Sequence, residues 1–265
     1  MSFSIPKHKT MNALVKVLHD ILLTWTFFTR LPAPHFMTDR SLAQALWALP
    51  LISLLVAFVQ WSGALALLTL LEAPGIARDL AALALFSLPL ALTGGLHWDG
   101  LADLADGLGV GKDRRATVMR DPTVGAFAVL TLLCLALAQF LLYRSLLALP
   151  ASNLLPLWLL LLALTSRQFM ALVWASLPPA DTHSQASRLG RPSPWLHGGL
   201  FAILILVLWL VGVLGPLSLL ALVGGALAWR AALGRWLGGI NGDGLGASQV
   251  IGETFVLLII VLAHA

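Results

Sequence analysis

Val124-Gly125-Ala126-Phe127-Ala128-Val129-Leu130-Thr131-Leu132-Leu133-Cys134-Leu135-Ala136-Leu137-Ala138-Gln139-Phe140-Leu141-Leu142 contains no charged residue. A helix needs roughly 17–25 apolar residues to cross the hydrocarbon of a bilayer. This stretch belongs to a run at 123–148, and similar runs lie at 43–71, 79–96, 154–176, 195–214, 216–233 and 247–264. Each qualifies as a span. The first is long enough to tilt or to kink at Pro50, and the last two are short. The fold expected is all-α and polytopic, with about seven transmembrane helices.

Composition supports this. The 265-residue chain is 59% hydrophobic and 11% charged, with a mean hydropathy of +0.91. A soluble domain carries roughly 25% charged residues, so this chain cannot clothe a water-facing surface of its size. The net charge of +4 is no sign of nucleic acid, because the bases sit in loops between apolar runs. Cys134 is the only cysteine, which excludes a disulfide framework and a thiolate metal cluster.

Before the first run, residues 11–29 place Leu14, Val17, Leu18, Ile21, Leu22, Trp25 and Phe28 at helical spacing, with Lys16, His19 and Asp20 facing elsewhere. This is the pattern of an amphipathic helix lying in the membrane interface, and it ends at Pro32 and Pro34. Lys7, Lys9 and Lys16 precede no clean apolar stretch, so the segment does not read as a signal peptide. With no soluble domain and no repeat in evidence, residues 1–265 are expected to form one integral membrane domain. Its parts are an interfacial segment at 1–42 and a bundle at 43–265.

Lys and Arg alternate sharply between loops. The N-terminal segment and the loops 97–122, 177–194 and 228–246 hold 13 of them, against Arg78 and Arg144 on the other side. The positive-inside rule then gives a multi-pass protein of the cytoplasmic (inner) membrane, N-terminus inside and C-terminus outside. Asp99, Asp103, Asp106, Asp113, Asp121, Asp181 and Asp243 fall in the same segments. Acids contribute little to topology, so their clustering has another cause.

The sharpest motif is His97-Trp98-Asp99-Gly100-Leu101-Ala102-Asp103-Leu104-Ala105-Asp106-Gly107. On a helix, Asp103 and Asp106 lie roughly +40° and −20° from Asp99. Three carboxylates so close raise one another's pKa unless a cation intervenes. Oxygen-only ligands suit Mg²⁺, with Mn²⁺ a second choice. The plain alternative is a solvated acidic face or a capping cluster. His97 fits either a proton acceptor for an attacking hydroxyl or a hydrogen bond to Asp99 or backbone.

Basic residues follow at Lys112, Arg114, Arg115 and Arg120, the last beside Asp121. They suit an anionic substrate such as a diphosphate, or they simply hold the loop inside. Gly238-Gly239-Ile240-Asn241-Gly242-Asp243-Gly244-Leu245-Gly246 contains five glycines. They permit close backbone approach to a ligand, with Asn241 and Asp243 as metal or phosphate contacts; an ordinary turn is the alternative. Arg167, Gln249 and Glu253 lie within spans. Arg167 reads as a functional group or as half of an internal ion pair with Glu253.

The same residues carry a resemblance. Phe27-Phe28-Thr29-Arg30-Leu31-Pro32, the 97–107 motif, Met119-Arg120-Asp121 and Asn241-Gly242-Asp243-Gly244 resemble the cobalamin synthase family (adenosylcobinamide-GDP ribazoletransferase), in the family's order and over most of the chain. The resemblance implies a membrane enzyme of late cobalamin assembly. It would join α-ribazole, or its 5′-phosphate, to adenosylcobinamide-GDP with Mg²⁺ and release GMP. Asp99, Asp103, Asp106 and His97 are then the expected catalytic residues. Arg30, Arg114, Arg115, Arg120, Asp121, Arg167, Asn241 and Asp243 are the expected substrate contacts. Membrane lipid is the expected environment, and a homo-oligomer stays open. A CDP-alcohol phosphotransferase is the nearest alternative: Asp103-Leu104-Ala105-Asp106-Gly107 matches the start of its signature, but Val110-Gly111 stands where Ala-Arg is needed. A cation-coupled transporter would place its acids mid-span, whereas these lie at a span's end.

Overall fold

The computed structural model describes residues 13–34, 40–150, 152–180 and 189–264. Lys7, Lys9, Asp181 and Arg188 lie outside them. The described residues form eleven α-helices. α1 is Ala13–Phe28, α2 Leu42–Ala45, α3 Leu49–Leu70, α4 Pro74–Thr93, α5 Leu96–Leu108 and α6 Lys112–Val118. α7 is Ala126–Leu146, α8 Leu155–Ser176, α9 Pro194–Leu210, α10 Pro216–Leu237 and α11 Gly242–His264.

Six stretches are long and apolar enough to cross a membrane: α2–α3 taken together, α4, α7, α8, α10 and α11. α9 is apolar but has only 17 residues, the lower limit for a span. It still runs between the same two ends as its neighbours. All seven expected runs are therefore helical, in a polytopic all-α membrane protein.

Two expectations change in detail. Pro50 does not kink the first span. A 3-10 turn at Leu46–Ala48 separates α2 from α3, and Pro50 sits in the first turn of α3, where its missing N–H costs nothing. The second run starts earlier and stops at Thr93. Gly94 and Gly95 follow with φ of 65° and 72°, a left-handed corner that lets α5 leave at a new angle.

α1 is amphipathic, but His19 and Asp20 of its polar stripe face the protein, while Lys16 is exposed. Asp20 is buried and accepts from Arg40 Nη2 (2.7 Å) and Trp47 Nε1 (2.7 Å). Thr24 donates to the carbonyl of Ala45 (3.0 Å), docking α1 on α2. Leu14 and Leu18 point outward, as lipid-facing residues of an interfacial helix would.

α8 and α11 are the centre of the bundle, with 78% and 67% of their spans buried. α7 and α10 are peripheral, at 17% each. Inside runs a polar chain: Gln60 donates to Tyr143 (3.0 Å), Tyr143 to Glu253 (2.7 Å), and Gln249 to Ser166 (3.0 Å) and Glu253 (3.4 Å). Among the described residues Arg167 and Glu253 make no salt bridge, so the ion pair weighed above is not formed as a direct contact.

The ends of the bundle are pinned differently. At one end Ile240 N–H donates to the Pro178 carbonyl (2.8 Å), Ala180 N–H to the Ile240 carbonyl (2.9 Å) and Ala43 N–H to the Leu189 carbonyl (3.0 Å). At the other, His264 Nε2 lies 2.9 Å from the Val213 carbonyl oxygen, and Arg144 pairs with Asp79. The first end gathers the close of α1, α8 and α10, the start of α9 and α11, and all of α5 and α6.

Candidate active site

That first end holds a cavity of about 710 Å³, within the usual range for a site that encloses one drug-sized ligand. Its walls come from α1 (Phe27, Phe28), α5 (His97, Asp99, Gly100, Asp103), α6 (Lys112, Arg115), Met119-Arg120, α10 (Trp236), Asn241 and α11 (Asp243, Gly246).

The acid wall depends on how closely α5 and α11 cross. A Cβ on Gly100 would sit 2.9 Å from the Asp243 carbonyl oxygen and 3.0 Å from its Cα. One on Gly246 would sit 3.0 Å from the His97 carbonyl oxygen and 3.2 Å from its Cα. Backbone meets backbone here, an approach that small residues permit between membrane helices. Asp99 and Asp103 are thereby brought beside Asp243, from a motif 140 residues further along the chain. Asn241 fixes the start of α11: its Oδ1 accepts from Gly244 N–H (2.8 Å), and its amide donates to Asp243 (3.0 Å).

Asp99 and Asp103 have no hydrogen-bond or ion-pair partner among the described residues. Burial first, then Asp99 and Asp106, raise the Asp103 carboxyl above its ordinary range. Asp106 is different. Its Oδ2 accepts from Gly125 N–H (2.7 Å) and its Oδ1 from Ala128 N–H (2.8 Å). It caps α7 and does not line the cavity. The three-aspartate face thus separates into two cavity residues and one cap, with Asp243 supplying the third cavity carboxylate.

His97 is buried in the cavity wall, its ring 5.9 Å from that of Phe28. Burial, and secondarily the charge of Arg167, push its pKa down to about 3. The imidazole is neutral and a weak base.

The bases are also sorted. Lys112 and Arg120 line the cavity. Arg115 lines it too, but its Nε donates to the Gly107 carbonyl (2.9 Å) and its Nη1 to that of Trp236 (2.5 Å). It clamps the ends of α5 and α10. Arg114 is exposed and outside the lining. Arg30 lies over Gly94 at the α4–α5 corner, its N–H bonded to the Leu92 carbonyl (2.8 Å). Asp121 accepts from Thr123 N–H (2.9 Å) and Oγ1 (2.6 Å), which holds its carboxyl below the ordinary range and forms the turn into α7. Arg167 is buried, its charge felt at His97, and does not line the cavity. Phe27, Phe28 and Trp236 were missed as site residues; the last had no signal beyond its place before the glycine-rich turn.

No three carboxylate, His or Cys side chains form a ready cage for a metal among the described residues. The donor chemistry still suits Mg²⁺. The three cavity carboxylates offer only oxygen, two of them lack a partner among the described residues, and Mg²⁺ typically binds through one or two carboxylates plus water and substrate phosphate.

Fold and site define a class: a polytopic membrane enzyme with an acid- and base-lined cavity at one end of its bundle. The family described as cobalamin-5-phosphate synthase matches residues 20–261, and the chain belongs to that family. It is a transferase. A Bradyrhizobium diazoefficiens adenosylcobinamide-GDP ribazoletransferase is 37% identical, covering 96% of each chain. Proteins of the same name from Laribacter hongkongensis (37%, covering 93% of this chain and 98% of that one) and Pseudomonas aeruginosa (33%, covering 93% and 99%) are similar. No solved structure matches the chain.

Proposed function

We propose that the protein transfers the cobinamide-phosphate group of adenosylcobinamide-GDP to α-ribazole or its 5′-phosphate. A ribazole hydroxyl loses its proton and its oxygen bonds to the phosphorus on the cobinamide side. The bond from that phosphorus to GMP breaks, and GMP leaves with the electron pair. The observation that carries this reading is the pairing, in one cavity of a chain of this family, of two carboxylates without a partner among the described residues, Asp99 and Asp103, with Lys112 and Arg120.

Phosphoryl transfer depends on positioning and on neutralising charge. Lys112 and Arg120 hold the phosphates. The Arg120 guanidinium can grip two oxygens at once, which Lys cannot. Asp99, Asp103 and Asp243 would hold Mg²⁺, or Mn²⁺ in its place, which would supply charge stabilisation for the leaving GMP. The neutral, weakly basic His97 leaves the hydroxyl proton to a cavity carboxylate. Phe27 and Trp236 offer apolar surface to the planar bases.

The same reading puts the cavity end of the bundle in the cytoplasm, the protein in the inner membrane, and 1–265 in one membrane domain. The charge bias between loops supports the orientation. Protein purified in detergent is expected to release GMP from adenosylcobinamide-GDP only when α-ribazole and Mg²⁺ are both present. GMP release independent of α-ribazole would overturn the transfer.

A further inference from the structure

Residues 109–122 join α5 to α7. Within them Lys112, Arg115, Ala116, Met119 and Arg120 all line the cavity. They recur at intervals of three and four, so they share one helical face. Arg114 and Thr117, off that face, are exposed and outside the lining. α6 thus lies against the cavity with one side inward and the other in solvent. None of its residues is buried, and elements with so little buried surface are among the first to open locally.

The two sides of this strap are held differently. On the α5 side it is packed as well as bonded. Met119 is buried, and a Cβ on Gly107 would sit 2.6 Å from its Cγ, while Arg115 Nε donates to the Gly107 carbonyl. On the α10 side Arg115 Nη1 donates to the Trp236 carbonyl. Trp236 is in the last turn of α10, where a carbonyl has no intrahelical donor, so water can replace Arg115 there. The strap is hinged on α5 and latched on α10.

The contents of the cavity call for such a motion. A volume of about 710 Å³ encloses one drug-sized ligand, whereas the proposed reaction brings two substrates together, one of them bearing a corrinoid. The strap also carries Lys112 and Arg120, the cations proposed to hold the phosphates. Closing it delivers charge to the diphosphate and excludes water from the reacting centre.

We infer that residues 109–122 form a lid that opens on the α10 side, latched by Arg115 on the Trp236 carbonyl, and that closing it lowers Lys112 and Arg120 onto the phosphates of the entering nucleotide. The hinge and latch stand on the geometry alone. What the lid admits rests on the reading proposed above. Arg115 is then a positioning residue.

Two measurements decide it, both in a Cys134→Ala background. Spin labels at Arg114→Cys and Arg235→Cys, both exposed positions outside the cavity lining, report the gap between strap and α10. Adding Arg115→Met should shift the distance distribution toward longer values. A control pair at Leu130→Cys and Arg235→Cys, on α7 and α10, should not move. An unchanged Arg114–Arg235 distribution in a folded Arg115→Met protein overturns the latch. This arm needs no substrate, so it is decided even if the GMP assay fails. For turnover, the Arg114→Cys and Arg235→Cys pair is joined by a reducible bis-maleimide cross-linker. GMP release should fall at least tenfold and return when the linker is cleaved. Equal rates before and after cleavage overturn the need for opening.

Discussion

Asp103 and Asp106 stand three residues apart on α5, but different regions receive them. Asp103 opens on the cavity, without a partner among the described residues and within the field of other acids. Asp106 reaches the start of α7 and accepts two backbone N–H groups. The same contrast holds elsewhere. Asp20 is buried against Arg40 and Trp47, whereas Asp99 has no such contact among the described residues. Carboxylates that hold helices together have their charge answered by the protein. Asp99 and Asp103, which face the cavity, have no such answer among the described residues and are left to a ligand.

The largest effect expected follows from that split. Asp99→Asn and Asp103→Asn should each lower kcat by roughly a hundredfold or more, since a metal ligand contributes several kcal/mol and about 1.4 kcal/mol is tenfold in rate. Both variants should insert into the membrane and purify normally. Near-normal turnover of GMP release in either would return that residue to the solvated face considered from sequence.

Next comes the crossing that assembles the acids. Gly246→Ala forces a methyl group against the His97 backbone, 3.0 Å from its carbonyl oxygen. Backbone cannot swing aside as a side chain can, so α5 and α11 must separate by a few tenths of an ångström. A loss of roughly tenfold in kcat is expected, because small misplacements are amplified at a reacting centre. Wild-type kinetics in a well-folded Gly246→Ala protein would show that this spacing is not critical.

Arg120→Lys keeps the charge but not the planar fork. It should raise KM for the diphosphate substrate several-fold, with less effect on kcat. An unchanged KM would reduce Arg120 to a topological charge.

The smallest effect belongs to the cap. Asp106→Ala should cost about 1 kcal/mol of stability, as loss of a helix cap does. It should show as a lower midpoint in thermal unfolding. A drop in activity as large as that of Asp103→Asn would erase the distinction between the two residues.

The fold was legible because lipid imposes a length and a composition on each span, and the glycine-free stretch at 126–146 is the plainest case. The acid motif was legible as a helix face, since 100° per residue places Asp99, Asp103 and Asp106 together. What the pattern could not supply was the neighbour of each carboxylate. Helical angle puts Asp106 on the cavity side, but the nearest unpaired donors, at Gly125 and Ala128, lie one loop further on. Asp243 becomes the third cavity acid only through a helix crossing that Gly100 and Gly246 permit. Arg115 read as a substrate contact because its carbonyl partners at Gly107 and Trp236 are a matter of tertiary structure. The polar stripe of α1 was visible, but not that its Asp20 faces Arg40 and Trp47.

The most direct test of the account is the Mg²⁺ dependence of GMP release in the wild-type protein, Asp103→Asn and Asp106→Asn, measured side by side after chelator treatment. Asp103→Asn should need clearly more Mg²⁺ to reach half its residual rate, because a ligand charge is gone. Asp106→Asn should titrate as the wild type does, since its carboxylate serves α7. An equal shift in both variants, or a shift in neither, would contradict the account.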